Sequence, residues 1–376
     1  MKHPPTIERI DVVPVRLPLI EPFAIAYATY THTSSVLLRV TLASGETGWG
    51  EATPDPDVTG ETWESVIANL RSVAPWLLGF DARRIDAART RMEATLGGAP
   101  AAMAAIDIAL HDVVARIAGM PVWALLGGRE AGALTISRVV SIDTPEAMAT
   151  AAEEHVSSGF RTIKLKVGES HDPALDARRI LAVRAAVGSA VGLKVDVNQG
   201  WQSAELAIEA IRAAHGAKVD YYEQPVNKHD LEGLARVRRV TGAPIMVDEG
   251  CLGASDALRV AQLEAADFIN IKLMKCGGLR NGVAVDAIAR AAGMRTQVGT
   301  MVESSIASAA GLHLAAALSN VVTVEMGGPL MHAVDVGDAK SWYRHDRIQV
   351  PDTPGLGITV DDGLVSRIAT EWHTIG

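Results

Sequence analysis

The sequence is poor in the residues that staple a chain or anchor it to a large partner. It holds two cysteines in 376 residues, Cys251 and Cys276, which fit neither a C-x-x-C motif nor a disulfide framework, so buried packing is their expected role. Aromatic residues make up only 4%, and the basic residues fall in scattered pairs such as Arg83-Arg84 and Arg238-Arg239. No basic stripe interleaved with aromatics exists to follow a phosphate backbone. With 35 basic against 44 acidic side chains, a net −9, nucleic acid is excluded as an expected partner. The most apolar stretch, residues 97–122, is broken by Asp107, His111, Asp112 and Arg116. It therefore reads as a buried helix, and no membrane partner is expected. Residues 1–11 carry prolines and charges where a signal peptide needs an apolar run, so a cytoplasmic location is the expectation.

What the sequence does have is core. Hydrophobic residues at 48% against charged residues at 21% exclude disorder. The first third does not repeat. Ile7–Leu17 and Ser35–Leu42 read as strands, and the turn Ala43-Ser44-Gly45-Glu46 leads into a third, Thr47–Ala52. Helical periodicity follows over Glu61–Leu78, Ala82–Leu96 and Pro100–Ala118, closing near Leu125-Leu126-Gly127-Gly128. Residues 1–130 thus read as an α+β capping domain.

From Leu134 short β-rich runs alternate with helical stretches at intervals of about 26 residues. The runs are Leu134–Val140, Thr162–Val167, Leu193–Asn198, Val219–Glu223, Ile245–Asp248, Phe268–Leu273, Arg295–Gly299 and Val321–Met326. Thr144, Ser203 and Asp230 stand where N-caps belong. Eight strands separated by seven helices predict an α/β fold, a (β/α)7β TIM-type barrel over residues 131–345, with 346–376 returning to the cap. No G-x-G-x-x-G follows any strand, so a dinucleotide site is not expected.

In such a barrel the reacting groups come from the carboxyl ends of the strands. Strand two carries Lys164 and Lys166, strand three Asp196 and Asn198, strand four Glu223, strand five Asp248 and Glu249, and strand six Lys272. Period-two alternation puts Lys164 with Lys166, and Asp196 with Asn198, on single faces that point inward together. Asp196, Glu223 and Asp248 then form an arc of carboxylates that repels itself unless a divalent cation neutralises it. Hard oxygen ligands select Mg²⁺, with Mn²⁺ as the alternative. Strands two and six lie opposite in a ring of eight, so Lys166 and Lys272 flank anything held at the arc. Two opposed bases suit a carbon acid whose proton leaves one face and returns to the other. A lysine base needs a pKa depressed toward neutrality, which Lys164 beside Lys166, together with the nearby metal, is expected to supply by like-charge repulsion. A Schiff-base aldolase using either lysine, or a silent binding protein on the same barrel, are the readings from other classes.

These motifs together resemble the enolase superfamily, specifically its muconate lactonizing enzyme subgroup, which includes muconate cycloisomerases and dipeptide epimerases. The resemblance runs through Gly48-Trp49-Gly50-Glu51-Ala52, the Lys164-x-Lys166 pair and Asp196-Val197-Asn198-Gln199-Gly200-Trp201. It continues through Glu223-Gln224-Pro225, Asp248-Glu249, Lys272–Gly278 and Gly299-Thr300-Met301-Val302-Glu303. It implies Mg²⁺ on Asp196, Glu223 and Asp248, and α-proton transfer by Lys166 and Lys272 through an enediolate, with Lys164 as their charge-tuning neighbour. The implied outcome is racemisation or epimerisation of an amino-acid or dipeptide-like carboxylate, the alternative being lactone-forming cycloisomerisation of a muconate-type dicarboxylate. A mandelate racemase-like histidine base is missing from strand seven, which reads Thr296-Gln297-Val298-Gly299-Thr300. Phe23–Tyr27 and Val58–Thr62 look like two specificity loops, which brings Tyr27 and Thr59 forward as substrate contacts, alongside Asn198, Glu249, Thr300, Glu303 and Glu325. Dipeptide epimerases carry Asp-x-Asp on strand eight for the substrate ammonium, and this chain has Glu325-Met326-Gly327, which looks more like muconate cycloisomerases. A small-molecule carboxylate is the expected partner, and a homo-oligomer the expected assembly.

Overall fold

The computed structural model describes residues 4–128, 133–168 and 172–376. The expected boundary at residues 130–131 lies outside them. The N-terminal part is an antiparallel sheet of β1 (Ile7–Ala24), β2 (Thr29–Leu42) and β3 (Thr47–Ala52), with helices α1 (Trp63–Leu77), α2 (Ile85–Thr95) and α3 (Pro100–Ala118). The first two strands run well past the predicted ones, and the register between them slips between Pro18 and Phe23. Prolines 14, 18 and 22 mask this hairpin in the sequence because proline lowers any strand reading. Helix α3 is buried from Ala101 to Ala115, sandwiched between β3 on one side and the barrel on the other. Gly50 makes that contact possible, since a Cβ there would stand 1.9 Å from the carbonyl oxygen of Ala105.

A short helix α4 (Val122–Leu125) leads to β4 (Leu134–Thr135) and then to eight parallel strands in unbroken order. These are β5 (Arg138–Val140), β6 (Thr162–Lys166), β7 (Gly192–Asp196), β8 (Tyr221–Glu223), β9 (Ile245–Val247), β10 (Phe268–Ile271), β11 (Arg295–Val298) and β12 (Val321–Val324). A parallel bridge between Ile136 and Val324 brings first and last strand together. The seven intervening helices are α5 (Pro145–Ser157), α6 (Pro173–Val187), α7 (Ala204–Ala213), α8 (Leu231–Thr241), α9 (Ala254–Gln262), α11 (Leu279–Ala291) and α12 (Ser305–Ala317), with a single-turn α10 (Leu273–Cys276) after β10. The fold is the (β/α)7β barrel that the periodicity predicts. Thr144, Ser203 and Asp230 each accept a backbone N–H from the first turn of α5, α7 and α8.

One expected strand is divided. Leu134–Val140 reads as a single run, but Leu134 and Thr135 pair antiparallel with β14 (Arg347–Ile348), which itself pairs with β13 (Tyr343–Arg344). Only Arg138–Val140 join β6. After a short helix α13 (Gly328–Met331), the chain passes through that small sheet and α14 (Asp362–Ile368) to β15 (His373–Ile375), which pairs antiparallel with β1. Glu51 locks the N-terminal sheet to the barrel. Its buried carboxylate accepts from Ser304 N (2.9 Å), Ser304 Oγ (2.6 Å) and Ala307 N (3.0 Å), capping α12 from the neighbouring unit.

Candidate active site

Strand register builds the site. Lys166 is aligned with Asp196, and Asp196 with Glu223, so three adjacent strands deliver one row of inward side chains at their carboxyl ends. Asp248 follows one residue beyond β9, and Lys272 one residue beyond β10, across the ring from β6. One carboxylate oxygen from each of Asp196, Glu223 and Asp248 lies within 4.8 Å of the others, and all three residues are buried.

The ammonium groups interleave with these acids. Lys166 Nζ donates to Asp196 Oδ2 (2.7 Å) and Asn198 Oδ1 (2.9 Å). Lys164 Nζ sits 2.9 Å from Asp196 Oδ2, 2.8 Å from Glu223 Oε2 and 2.8 Å from Glu325 Oε2. Lys272 Nζ lies 2.7 Å from Asp248 Oδ2. Burial opposes ionisation of every acid here, yet Lys164 and Lys166 hold the Asp196 carboxyl down to about 2. Lys272 and Lys275 likewise outweigh burial at Asp248 and hold it low. Glu223, pressed by burial and by Asp196, is pushed up to about 8, and Glu249, pressed by burial and Asp248, to about 7. The protein's own charges do not depress Lys164 or Lys272. Burial lowers both, but Asp196, Glu223 and Glu325 around Lys164, and Asp248 and Glu249 around Lys272, raise them above the ordinary amine value.

The acid arc fits a hard divalent cation. Glu223 Oε2 and Asp248 Oδ2 are buried and accept no well-aligned hydrogen bond, although an ammonium lies within ion-pair distance of each. Three carboxylates with unfilled lone pairs suit Mg²⁺ or Mn²⁺. Asn270 Nδ2 donates to Glu223 Oε1 at 2.8 Å, which orients that carboxylate.

The remaining sequence candidates divide into those that face open space and those that do not. Asn198 lines a cavity and donates from Nδ2 to Glu249 Oε1 (3.0 Å), with Glu249 behind it. Thr300 and Tyr27 line cavities, whereas Glu303 is buried behind Thr300, whose hydroxyl it accepts. Thr59 is turned into its own loop, donating to the Asp55 carbonyl, and does not border the open space. Glu325 borders a cavity but is spent. It accepts from Ser137 Oγ (2.6 Å) and Lys194 Nζ (3.1 Å) as well as pairing with Lys164, and those two lysines hold its carboxyl at about 2 against burial. Sequence reasoning missed Lys194, although strand alternation two residues before Asp196 places it on the inward face. It also missed Lys275, buried at 2% exposure, whose Nζ lies 2.6 Å from Asp248 Oδ1. Nothing in its sequence context separates it from a surface lysine. The backbone is strained at the strand ends: Asn198, Gln199, Gln224 and the β-branched Val302 all have φ between 39° and 69°. Cys251 and Cys276 are buried free thiols pushed up to about 12, as packing residues would be.

Two cavities open from the lysine pair, both lined by Lys166, Lys272, Thr300 and Val302. One, about 380 Å³, extends under the N-terminal hairpin past Tyr27, Tyr30, Asp55 and Trp63. The other, about 470 Å³, runs along β5 toward Gly327. A carbon held between the two amines therefore has two directions in which to place substituents. Among the described residues, no helix is long and apolar enough to cross a membrane.

The chain matches the N-terminal domain of the mandelate racemase / muconate lactonizing enzyme family over residues 7–127 and the enolase C-terminal domain-like family over residues 147–364. It is 38% identical to the N-succinyl-L-Arg/Lys racemase of Bacillus cereus over 363 residues, covering 96% of this chain and 97% of that one. It is 39% identical to the L-Ala-D/L-Glu epimerase of Bacillus subtilis over 355 residues, 94% and 96% of the two chains. The crystal structure of the dipeptide epimerase from Cytophaga hutchinsonii, complexed with Mg and the dipeptide D-Ala-L-Val, superimposes with a TM-score of 0.94 at 32% identity, covering 99% of this chain and 100% of that one.

Proposed function

The chain belongs to the mandelate racemase / muconate lactonizing enzyme family of the enolase superfamily, and from that premise we propose how its own residues carry the chemistry. The protein is a Mg²⁺-dependent isomerase that removes the proton α to a substrate carboxylate and returns it, racemising or epimerising an amino-acid derivative. Asp196, Glu223 and Asp248 hold the cation, which when bound supplies positive charge to the substrate carboxylate. Lys166 and Lys272 flank the α-carbon. The amine of one takes the proton as the Cα–H bond breaks, and the electron pair passes into the carboxyl group. The ammonium of the other donates a proton to the opposite face, and inversion results. Lys164, shared among three acids, keeps the Asp196 and Glu223 carboxylates in place.

The observation that carries this reading is that Lys166 and Lys272, on strands four apart, border the same two cavities directly beside the acid arc. In the hairpin cavity Asp55 is buried, accepting from Tyr30 Oη (2.8 Å) and Asp57 N (2.8 Å), and has no ion-pair partner among the described residues. A carboxylate so placed beside Tyr27 and Trp63 favours a basic side chain, in keeping with the name of the Bacillus cereus relative. The working units are the cap (1–130), the barrel (131–345) and the C-terminal segment (346–376), in a cytoplasmic homo-oligomer acting on a small molecule.

The test is α-proton exchange in D₂O with Mg²⁺, read by mass spectrometry on both enantiomers of a derivatised lysine or arginine. Lys166→Ala is expected to abolish exchange from one enantiomer and Lys272→Ala from the other. Full activity of either variant overturns the two-base assignment. Strand eight, Glu325-Met326-Gly327, favours the cycloisomerase reading, and lactone formation from muconates without exchange in amino-acid derivatives would establish it.

A further inference from the structure

The first and last strands of the barrel meet at one point and then part. Ile136 bridges Val324, but beyond it β5 pairs only with β6, and β12 only with β11, among the described residues. Register shows which residues flank the resulting gap. Val139 is aligned with inward-facing Lys164, so Val139 faces the barrel axis, and Arg138 faces outward with Ile163. The 470 Å³ cavity is nevertheless lined by both, together with Ser137 on the inner face and Val140 on the outer. It therefore reaches both faces of β5 and the residues just beyond its carboxyl end, Ser141 and Asp143, joining the lysine chamber to an outer chamber lined by Ile20–Phe23 and α5. Gly327 borders this passage, and a Cβ there would meet only the Ile136 Cδ1 atom, at 3.9 Å, so the rim is wide.

Charge along the passage is asymmetric. At its inner end the acid of strand eight, Glu325, is consumed by Ser137, Lys164 and Lys194, leaving no free carboxylate there for a substrate ammonium. In the outer chamber Arg138 is half-buried, and its guanidinium makes no hydrogen bond or ion pair among the described residues. Burial disfavours its charge, and Glu21 is the acid that acts to restore it. Glu21, Asp143 and Glu154 line the same chamber and are exposed, so water weakens their hold on the guanidinium, while His155, half-buried beside Arg138, is the second base there. A half-buried guanidinium whose N–H donors make no hydrogen bond, in a ligand-sized passage, selects a carboxylate, which it can take in a bidentate fork.

We propose that Arg138 is a specificity-determining residue that receives the terminal carboxylate of an N-acyl substituent, extended along the cavity from the lysine chamber past β5. The substrate is then an amino acid whose nitrogen carries a dicarboxylic acyl group such as succinyl, with its own side chain in the hairpin cavity. This rests on the reading that Lys166 and Lys272 act on the α-carbon of an amino-acid derivative.

The test compares α-proton exchange in D₂O, with Mg²⁺ and the full chain, for the N-succinyl, N-acetyl and N-alanyl derivatives of one basic amino acid. For the wild type, kcat/KM for the succinyl compound is expected to exceed that for the acetyl compound by about ten- to hundredfold, the worth of a charge-assisted hydrogen bond. Arg138→Ala is expected to collapse that ratio, chiefly through KM of the succinyl compound, and Arg138→Lys to recover part of it. A ratio unmoved by Arg138→Ala, or an N-alanyl substrate that outruns the succinyl one, overturns the assignment of Arg138 while exchange itself leaves the two-base reading standing. Absence of exchange from all three compounds overturns both.

Discussion

Lys275→Met probes the charge balance beneath the acid arc. Lys275 is 2% exposed, and its ammonium lies 2.6 Å from Asp248 Oδ1 and 2.9 Å from the Asn270 carbonyl while also contacting the Asp248 carbonyl. Methionine fills the same volume and removes the charge and the donors. Breaking a buried pair costs about 3–5 kcal/mol, and because Lys272 still faces Asp248 Oδ2 the lower end applies, about 3 kcal/mol. In a chain of this size that corresponds to a fall in Tm of roughly 5 °C with EDTA present. Mg²⁺ then has the opposite effect on the difference. Asp248 has lost one of its two compensating cations, so a dication binds it more tightly, and saturating Mg²⁺ raises the variant's Tm by more than the wild type's. Differential scanning calorimetry with EDTA and with Mg²⁺ reads both terms. An unchanged Tm in EDTA, or a Mg²⁺-induced rise no larger than in the wild type, would refute the reasoning that Lys275 neutralises a carboxylate proposed to hold the metal.

Other consequences are equally direct. Glu51→Ala removes three hydrogen bonds to the first turn of α12, and urea unfolding should show a loss of about 2–4 kcal/mol, an unaltered midpoint counting against the latch. Gly50→Val drives a side chain into the Ala105 carbonyl and should leave no soluble folded protein. Glu61 is buried, and burial outweighs the N–H donors of Ala101 and Ala102, pushing its carboxyl up to about 7. A raised folded-state value contributes stability that is complete below about pH 4.5 and is lost as the pH climbs through 7. Glu61→Gln removes that loss, so the variant should gain on the wild type between pH 5 and 8 by up to about 3 kcal/mol, and parallel pH profiles would contradict the burial argument.

The barrel was legible because parallel strands buried on both faces, spaced by helices of similar length, leave a repeat that no other architecture explains. Its inward residues were legible for the same reason: alternation with a period of two is local, so Lys164, Lys166, Asp196 and Asn198 declare their shared face without reference to any other strand. The division of Leu134–Val140 was not legible, because the strand that claims Leu134 and Thr135, Arg347–Ile348, lies more than two hundred residues away. The extended hairpin Ile7–Leu42 was hidden by its prolines.

The sequence by itself determined the fold class, the acid arc and the two lysines, since each follows from spacing along one strand and the order of strands in a ring. Only the tertiary structure decided how those charges are spent. Glu325 offers a carboxylate in the sequence but is consumed by Lys164 and Lys194, and Lys275 looks like a surface lysine until α10 turns it beneath Asp248. Glu303 and Thr59 sit in loops that point them into the protein, while Arg138, outward on its strand, borders the cavity because that cavity reaches both faces of β5. Which charges are neutralised, and which remain free to meet a ligand, depends on distances between residues remote in the chain, and those distances are set only when the elements pack.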